Sequence, residues 1–246
     1  VAVFYAVENW RGQRAWNNHR RALEAAGVKW EIAALIPPPV PDAQNLAMTP
    51  LLKPIFEYSR GTNGLEWRDT NAMERLQRID NYRQASQKHR PTSMGNLEKG
   101  TLTDLETFRK FYLGNTNYPQ ATTDASAAQA VLLALSQYDA EFQELKTAPA
   151  ERPLSRFPVN YLEEPPPGVL LPHLAIVKSL VRVCGLRAIA RLQLGQASEA
   201  LADVELGFRL ADAVRDEPLL IDHLVRTATL HLILQPIREG LTRHAW

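Results

Sequence analysis

Cysteine is almost absent from the sequence, since Cys184 is the only one among 246 residues. A single thiol excludes an intramolecular disulfide framework and a metal site built from several cysteines. The six histidines do not follow the spacing of a zinc site. The motifs of a nucleophile elbow, a phosphate-binding loop and a dinucleotide fold are also missing. We therefore predict no catalytic residue, no cofactor and no metal site.

An excess of charge of one sign is lacking as well. The chain carries 28 lysines and arginines against 27 aspartates and glutamates, which gives a formal net charge of +1. Proteins that bind nucleic acid use clustered basic side chains to neutralise phosphates. We therefore predict no nucleic-acid partner. The hydrophobic content of 45% is ordinary for a globular protein that folds unaided.

What the sequence does contain is helical periodicity, which predicts a mainly helical, all-α fold. Residues 8–26 favour helix, and Gly27 falls where a left-handed C-terminal cap is expected. Thr103 precedes Glu106 by three residues, the spacing of a capping box at the start of a short helix. Asp124 is the predicted N-cap of a further helix. Its apolar stripe consists of Val131, Leu135, Tyr138, Phe142 and Leu145.

The apolar pattern of the C-terminal third predicts three helices in series. Residues 173–194 are apolar on two sides, which is typical of a helix covered on both. Gly195 breaks this helix, and residues 198–216 form the second arm of an antiparallel hairpin, with Asp203 on its solvent side. A third helix starts near Pro218, and Pro236 is expected to kink or end it. Its predicted apolar stripe is Ile221, Leu224, Val225, Ala228 and Leu232.

Prolines concentrate in residues 36–54 and 149–172 and predict long extended segments. The predicted organisation is an N-terminal helix in residues 1–30, a proline-rich and irregular strap region in 31–100, and a helical domain in 101–246. Within the strap region only residues 71–79 suggest a short helix. The proline run at residues 37–41 is either a strap against this protein's own tryptophans, which we favour, or a polyproline ligand for another protein.

The residues around Gly195 resemble a tetratricopeptide repeat in the spacing of their small side chains and turn glycine. They are Ala188, Leu192, Gly195, Ala200 and Gly207. The resemblance covers one repeat of about 34 residues, and it implies a TPR-like, α-solenoid-like hairpin at residues 173–216 that binds a protein or peptide. The chain departs from the family at Cys184 and Arg191, where the repeat usually has aromatic residues.

Three further motifs resemble an uncharacterised family of bacterial proteins with an N-terminal membrane anchor and a helical body. The motifs are residues 8–12, residues 37–42 with Asn45, and Gly240-Leu241 with His244 and Trp246. The resemblance implies a periplasmic body tethered to a membrane by a segment before residue 1, and a native chain that continues past Trp246 into a further helix. It implies no activity. The apolar residues 1–7 fit the end of such an anchor, and the alternative is an element packed on the core.

Two groups of polar residues are candidate ligand or partner contacts. Trp67, Arg68 and Asp69 lie in a glycine-bearing region that fits a ligand loop, although the tryptophan alternatively pins that loop to the core. A second group lies at successive steps of four along one helical face, where Asp222 would assist acid–base work. Its members are His223, Thr227 and His231. The alternative is that they are polar residues on the outer face of a packed helix.

The function that these observations favour is a non-catalytic, helical protein-binding or scaffold module tethered to a membrane. The rival hypothesis is a hydrolase-type enzyme in which polar residues of the region 56–100 meet the helical body. That enzyme requires a deep pocket where His89, Arg68, Asp69 or His223 converge. A third hypothesis is a structural subunit of a larger complex, which requires apolar patches left uncovered in the isolated chain.

Overall fold

The computed structural model describes residues 1–62, 64–79, 91, 94–163 and 168–246. Within these residues the chain is mainly helical, which confirms the predicted helical character of the fold. The helices are α1 (Ala2–Ala25), α2 (Thr70–Arg78), α3 (Leu105–Leu113), α4 (Ala127–Leu135), α5 (Asp139–Thr147), α6 (Pro172–Gln193), α7 (Ala197–Asp212) and α8 (Leu220–Thr242). An antiparallel hairpin of β1 (Tyr58–Gly61) and β2 (Gly64–Trp67) precedes α2.

The chain divides into two units, of which the first comprises Val1–Pro37 and Asn160–Val169. It contains α1, in which no residue is buried, so the N-terminal residues are not packed into a core. The end of α1 confirms the predicted cap: Gly27 has a φ of 90°, and the N–H groups of Gly27 and Val28 donate to the carbonyl oxygens of Glu24 and Leu23. This pair of hydrogen bonds is a Schellman motif.

The second unit comprises Pro38–Val159 and Leu170–Trp246 and is organised around α6. This helix packs against α4, α7 and α8, and its two-sided apolar pattern is buried as predicted, for example at Val177, Val181 and Leu180. Gly195, with a φ of 72°, connects α6 to α7 in the left-handed conformation that glycine adopts without strain. A Cβ at Gly207 would overlap the Ile233 side chain, so α7 and α8 approach closely there.

The first proline-rich region is not extended throughout. It forms short 3-10 turns at Asp42–Gln44, Leu46–Met48 and Lys53–Phe56. Apolar residues of these turns, among them Ala47 and Ile55, are buried in the core of the second unit. The segment therefore packs into the unit instead of only crossing its surface. In the second proline-rich region, residues 164–167 lie outside the described part of the chain.

Two predicted helix caps are wrong by one or two residues. The N-cap of α3 is Asp104, whose carboxylate accepts the Glu106 N–H at 2.9 Å. Thr103 is instead buried, and both its N–H and its hydroxyl donate to Oε1 of Glu239 on α8, at 2.8 and 2.6 Å. A buried carboxylate needs donors more than a solvated helix end does, which explains why the threonine is used there.

The helix predicted to start at Asp124 starts after Ser126, which forms a capping box with Gln129. The predicted stripe from Val131 to Leu145 is buried at all five positions. However, a 3-10 turn at Ser136–Tyr138 divides the segment into α4 and α5. The apolar spacing thus predicts the buried face correctly but does not reveal the break.

Candidate functional site

The hairpin residues Trp67, Arg68 and Asp69 lie at the junction of β2 and α2. Trp67 packs against the core, and its ring meets that of Tyr58 edge to face at 5.1 Å. Asp69 is the N-cap of α2 and accepts the Ala72 N–H at 2.9 Å. Trp67 and Asp69 therefore each have a structural role. The Arg68 side chain has no hydrogen-bond or ion-pair partner in the part of the chain that the structure describes.

A shallow groove of about 540 Å³ runs beside this hairpin. Its wall includes the aromatic rings of Phe56, Tyr58 and Trp67 together with the charged side chains of Glu57 and Arg68. Of the three sequence candidates in this region, two line the groove and Asp69 does not. The groove thus offers aromatic surface with one cation at its edge, but it brings no acid–base pair together.

His223, Thr227 and His231 are all exposed on α8. The Thr227 hydroxyl donates to the His223 carbonyl oxygen at 2.9 Å, a hydrogen bond within the helix. Asp222 does not join them in an exposed groove, because it is fully buried. One of its carboxylate oxygens accepts the Leu219 N–H at 2.9 Å. The predicted assistance of Asp222 in acid–base work is therefore wrong.

The same side of α8 carries large apolar side chains, and here the predicted stripe is wrong at Ile221 and Leu224, whereas Val225 and Leu232 pack against the core. Leu220, Ile221 and Leu224 are 74%, 45% and 57% exposed. The buried residues of α8 include four polar ones, Asp222, Thr229, Gln235 and Glu239, beside Ile233, Pro236 and Gly240. Pro236 does not end the helix, which continues to Thr242. We define the α8 outer face by its exposed residues: Leu220, Ile221, His223, Leu224, Thr227 and His231.

The residues required by the enzyme hypothesis are not seen to converge. His89 lies outside the described residues. Among those described, no hydrogen bond, ion pair or ring contact joins Arg68 or Asp69 to His223. The described part of the chain also contains no group of three or more side chains suited to holding a metal ion. Cys184 is buried on α6, where desolvation raises the pKa of its thiol and keeps it in the unreactive form.

Sequence reasoning missed a buried cluster beside the start of α8, which we call the buried acid cluster. It consists of Glu217, Asp222 and Arg156, which are 2%, 0% and 9% exposed. Glu217 Oε1 lies 3.7 Å from Arg156 Nη1. Asn45 holds the arginine backbone from the other side, since its amide donates to the Arg156 carbonyl at 2.8 Å and accepts the Arg156 N–H at 2.9 Å.

Burial controls the protonation of this cluster and of a neighbouring histidine. Desolvation raises the pKa of Glu217 to about 7, with Asp222 acting in the same direction and Arg156 against it. Desolvation also raises the pKa of Asp222. His173 is fully buried with its ring stacked on Phe157 at 4.3 Å, and desolvation lowers its pKa to about 3. Because these groups are sealed from solvent, we expect their ionisation to change stability.

Replacing Glu217 by glutamine is expected to stabilise the protein at alkaline pH. A folded-state pKa of about 7 against an ordinary value of 4.5 means that the glutamate's contribution is complete below pH 4.5 and is lost as the pH rises through 7. Glutamine does not ionise. The variant should therefore gain about 2–3 kcal/mol at pH 8 and almost nothing at pH 4.5.

Urea unfolding of the Glu217→Gln variant at the two pH values measures this difference. The matched control is Glu199→Gln, because Glu199 is exposed on α7. Its stability should stay within about 0.5 kcal/mol of the parent at both pH values. A Glu217→Gln variant that is less stable than the parent at pH 8 would show that the Arg156 ion pair outweighs the burial of the carboxylate.

No protein-family model, curated protein or solved structure matches this chain. In the described residues, no helix combines the length and the apolar character that crossing a membrane requires.

Proposed function

We propose that this chain is a non-catalytic helical module that binds another protein through the α8 outer face. The observation that carries the proposal is the exposure of Leu220, Ile221 and Leu224 on one face of α8. Exposed apolar side chains that cluster in this way are typical of protein interaction sites. Full burial of each of these side chains would contribute about 1.5–3 kcal/mol, which is enough for a few residues to dominate an interface.

The arrangement of the last three helices supports this proposal. Helices α6, α7 and α8 pack against one another in series, and Gly195 and Gly207 stand where a tight turn and a close helix contact require small residues. We propose that this stack is TPR-like. In such solenoids each helix covers its neighbour, so a helix whose outer face exposes apolar side chains needs a further element to cover it.

The partner segment that fits the α8 outer face best is an amphipathic helix with its own apolar stripe. The face contains no aspartate, glutamate, lysine or arginine, so charge pairing contributes little to its centre. His223, Thr227 and His231 provide polar groups along the same face, as in the polar part of an ordinary interface. If the chain is instead a structural subunit of a larger complex, the permanent contact with its neighbour would use the same residues.

We further propose that the body is extracytoplasmic and that α1 is its membrane-proximal end. Val3, Phe4 and Val7 are 76%, 66% and 47% exposed, and Trp10 and Arg11 follow them. An apolar segment that leads into tryptophan and arginine is typical of the membrane interface. The extracytoplasmic placement itself rests on the resemblance to the anchored bacterial family.

Photo-crosslinking tests the binding proposal in native membranes. A photoreactive residue at position 224 should give one discrete adduct with a different protein, whereas the same residue at position 199 on exposed α7 should not. Combined Leu220→Asp and Ile221→Asp changes should lower the yield of the adduct by at least about tenfold. Because both residues are exposed, their replacement should change stability by less than about 0.5 kcal/mol.

The remaining outcomes contradict the proposal in different ways. No discrete adduct at position 224, or equal adducts at 224 and 199, would show that the α8 outer face is ordinary surface. An adduct with the mass of two copies of this chain would show that the α8 outer face binds a second copy of the chain and not a different protein. Purified parent and variant chains should have the same circular dichroism spectrum, so that loss of the adduct is not mistaken for unfolding.

A further inference from the structure

A second groove, of about 510 Å³, is lined by other residues than the α8 outer face. It lies within the second unit, between residues 40–46, residues 149–155 and the C-terminal end of α7. Two of the segments that line it are joined by backbone hydrogen bonds. The Leu46 N–H donates to the Leu154 carbonyl oxygen at 2.8 Å, and the Leu154 N–H donates to the Gln44 carbonyl oxygen at 3.1 Å. These bonds make a short parallel bridge.

The charges around the groove leave two arginines without a carboxylate. Arg152 donates only to the carbonyl oxygens of Asp42 and Asn45, which do not neutralise it. Arg209 has no hydrogen-bond or ion-pair partner among the described residues. The groove also contains two aspartates, but each already has a cation: Asp212 pairs with Arg226 at 2.7 Å, and Asp216 with Arg215 at 3.2 Å.

Ser155 adds unused donors to the same groove. Its hydroxyl is buried without a hydrogen-bond partner, and its backbone N–H has none in the described part of the chain. A buried donor without an acceptor is costly and uncommon. The groove therefore combines two guanidinium groups that have no carboxylate partner with unpaired donors of Ser155. The Ser155 donors need an acceptor and the arginines attract negative charge, and a carboxylate provides both.

We propose that this groove binds an extended peptide through a carboxylate. The carboxylate lies between Arg209 and Ser155, while apolar side chains of the peptide pack on Leu46, Leu154 and Ala213. The volume and the apolar floor suit a peptide better than a free ion, because Leu154 offers a side chain that is 46% exposed. The carboxylate comes from either a peptide C-terminus or an aspartate or glutamate. This site is independent of the proposed contact at the α8 outer face.

Random heptapeptide libraries test the proposal with the full chain immobilised. One library has free C-terminal carboxylates, and a second has C-terminal amides. The full chain should retain members of the first library, or members of the second that contain aspartate or glutamate, and the two libraries distinguish the two sources of the carboxylate. Retention should fall about tenfold with Arg209→Gln and about fivefold with Ser155→Ala.

Arg243→Gln is the matched control, because Arg243 is also exposed and without a side-chain partner among the described residues, but it does not line the groove. It should retain as much peptide as the parent chain. Equal retention by the parent and Arg209→Gln would overturn the proposal, as would selection of amidated peptides that have no acidic residue. Equal loss of retention in Arg209→Gln and Arg243→Gln would show non-specific charge attraction and would also overturn it. A Leu224→Asp variant should retain peptide normally, which separates this site from the α8 outer face.

Discussion

Replacing Asp203 by asparagine is expected to lower the free energy of unfolding by about 3–5 kcal/mol. The Asp203 side chain is fully buried and pairs with three cations. Lys146 of α5 lies at 2.8 Å, Arg187 of α6 at 3.5 Å, and Arg191 of α6 is hydrogen-bonded to it. Asparagine keeps the shape but removes the charge. Because Arg187 is itself 4% exposed, the variant leaves a buried cation with less compensation.

Urea unfolding at neutral pH measures the loss for Asp203→Asn. The control is Asp212→Asn on the same helix, whose carboxylate also pairs with an arginine but has a side chain that is 48% exposed. Exposed pairs contribute little, so this change should cost less than about 0.5 kcal/mol. Similar small losses in both variants would mean that Asp139, which lies 2.7 Å from Arg187, compensates that arginine alone.

Asp203 also shows where the helical pattern fails as a predictor. Counting positions along α7 places it on the solvent side. In the folded chain, α5 and α6 bring Lys146 and Arg187 against this side and cover it. The pattern within one helix shows which residues are polar. It does not show which of them will pair with residues elsewhere in the chain, as Asp203 does with Lys146.

For helix α8 the pattern fails in the opposite sense, because it predicts burial for apolar residues that are exposed. Its leucines and isoleucines outnumber what one buried face can hold, and periodicity alone assigns burial to Ile221 and Leu224. The structure buries Asp222 and Glu239 instead, because their carboxylates accept N–H groups at Leu219 and Thr103. The bond to Glu239 joins residues that are distant in sequence, and the bond to Asp222 lies at the start of the helix. These bonds allow both carboxylates to be buried.

The candidate sites also differ in whether local sequence spacing is enough to place their residues. His223, Thr227 and His231 share one helical face, and spacing alone is enough to place them there. Short-range turn chemistry likewise explains Gly27, Gly195 and the cap at Asp69. The buried acid cluster depends on contacts of Arg156 with Asn45 and Glu217. The groove lined by Arg152 and Arg209 depends on the contact of Leu46 with Leu154. No local pattern specifies these contacts. A sequence signal existed only for Glu217, which precedes Pro218 in a short connection between two helices.

Replacing His173 by phenylalanine is expected to stabilise the protein most at acid pH. The ring stacks on Phe157 at 4.3 Å and lies 5.5 Å from Phe56, so an aromatic hydrocarbon fits the same contacts. Both ring nitrogens are buried without partners. Removing them should gain about 1 kcal/mol at pH 7.5. At pH 4.5 the gain should reach about 4 kcal/mol.

The larger gain at acid pH follows from the sign of the pKa change. The pKa of His173 is lowered from 6.5 to about 3 in the folded state. A neutral buried histidine thus supports folding fully above pH 6.5, and this support is lost as the pH falls towards 3. Phenylalanine takes up no proton and keeps its contribution throughout. The control is His231→Gln on the exposed side of α8, which should not change the pH dependence of unfolding.

Glu217 and His173 have opposite effects between pH 4.5 and 6.5. As the pH falls through this window, protonation of Glu217 favours the folded state and protonation of His173 favours the unfolded state, each with a slope of about 1.4 kcal/mol per pH unit. The parent chain should therefore have a flatter stability profile there than the His173→Phe variant. In that variant the effect of the buried carboxylates Glu217 and Asp222 remains, so stability measured by urea unfolding should rise as the pH falls from 6.5 to 4.5. A profile that falls with acidification in the variant would contradict the effect assigned to the buried carboxylates.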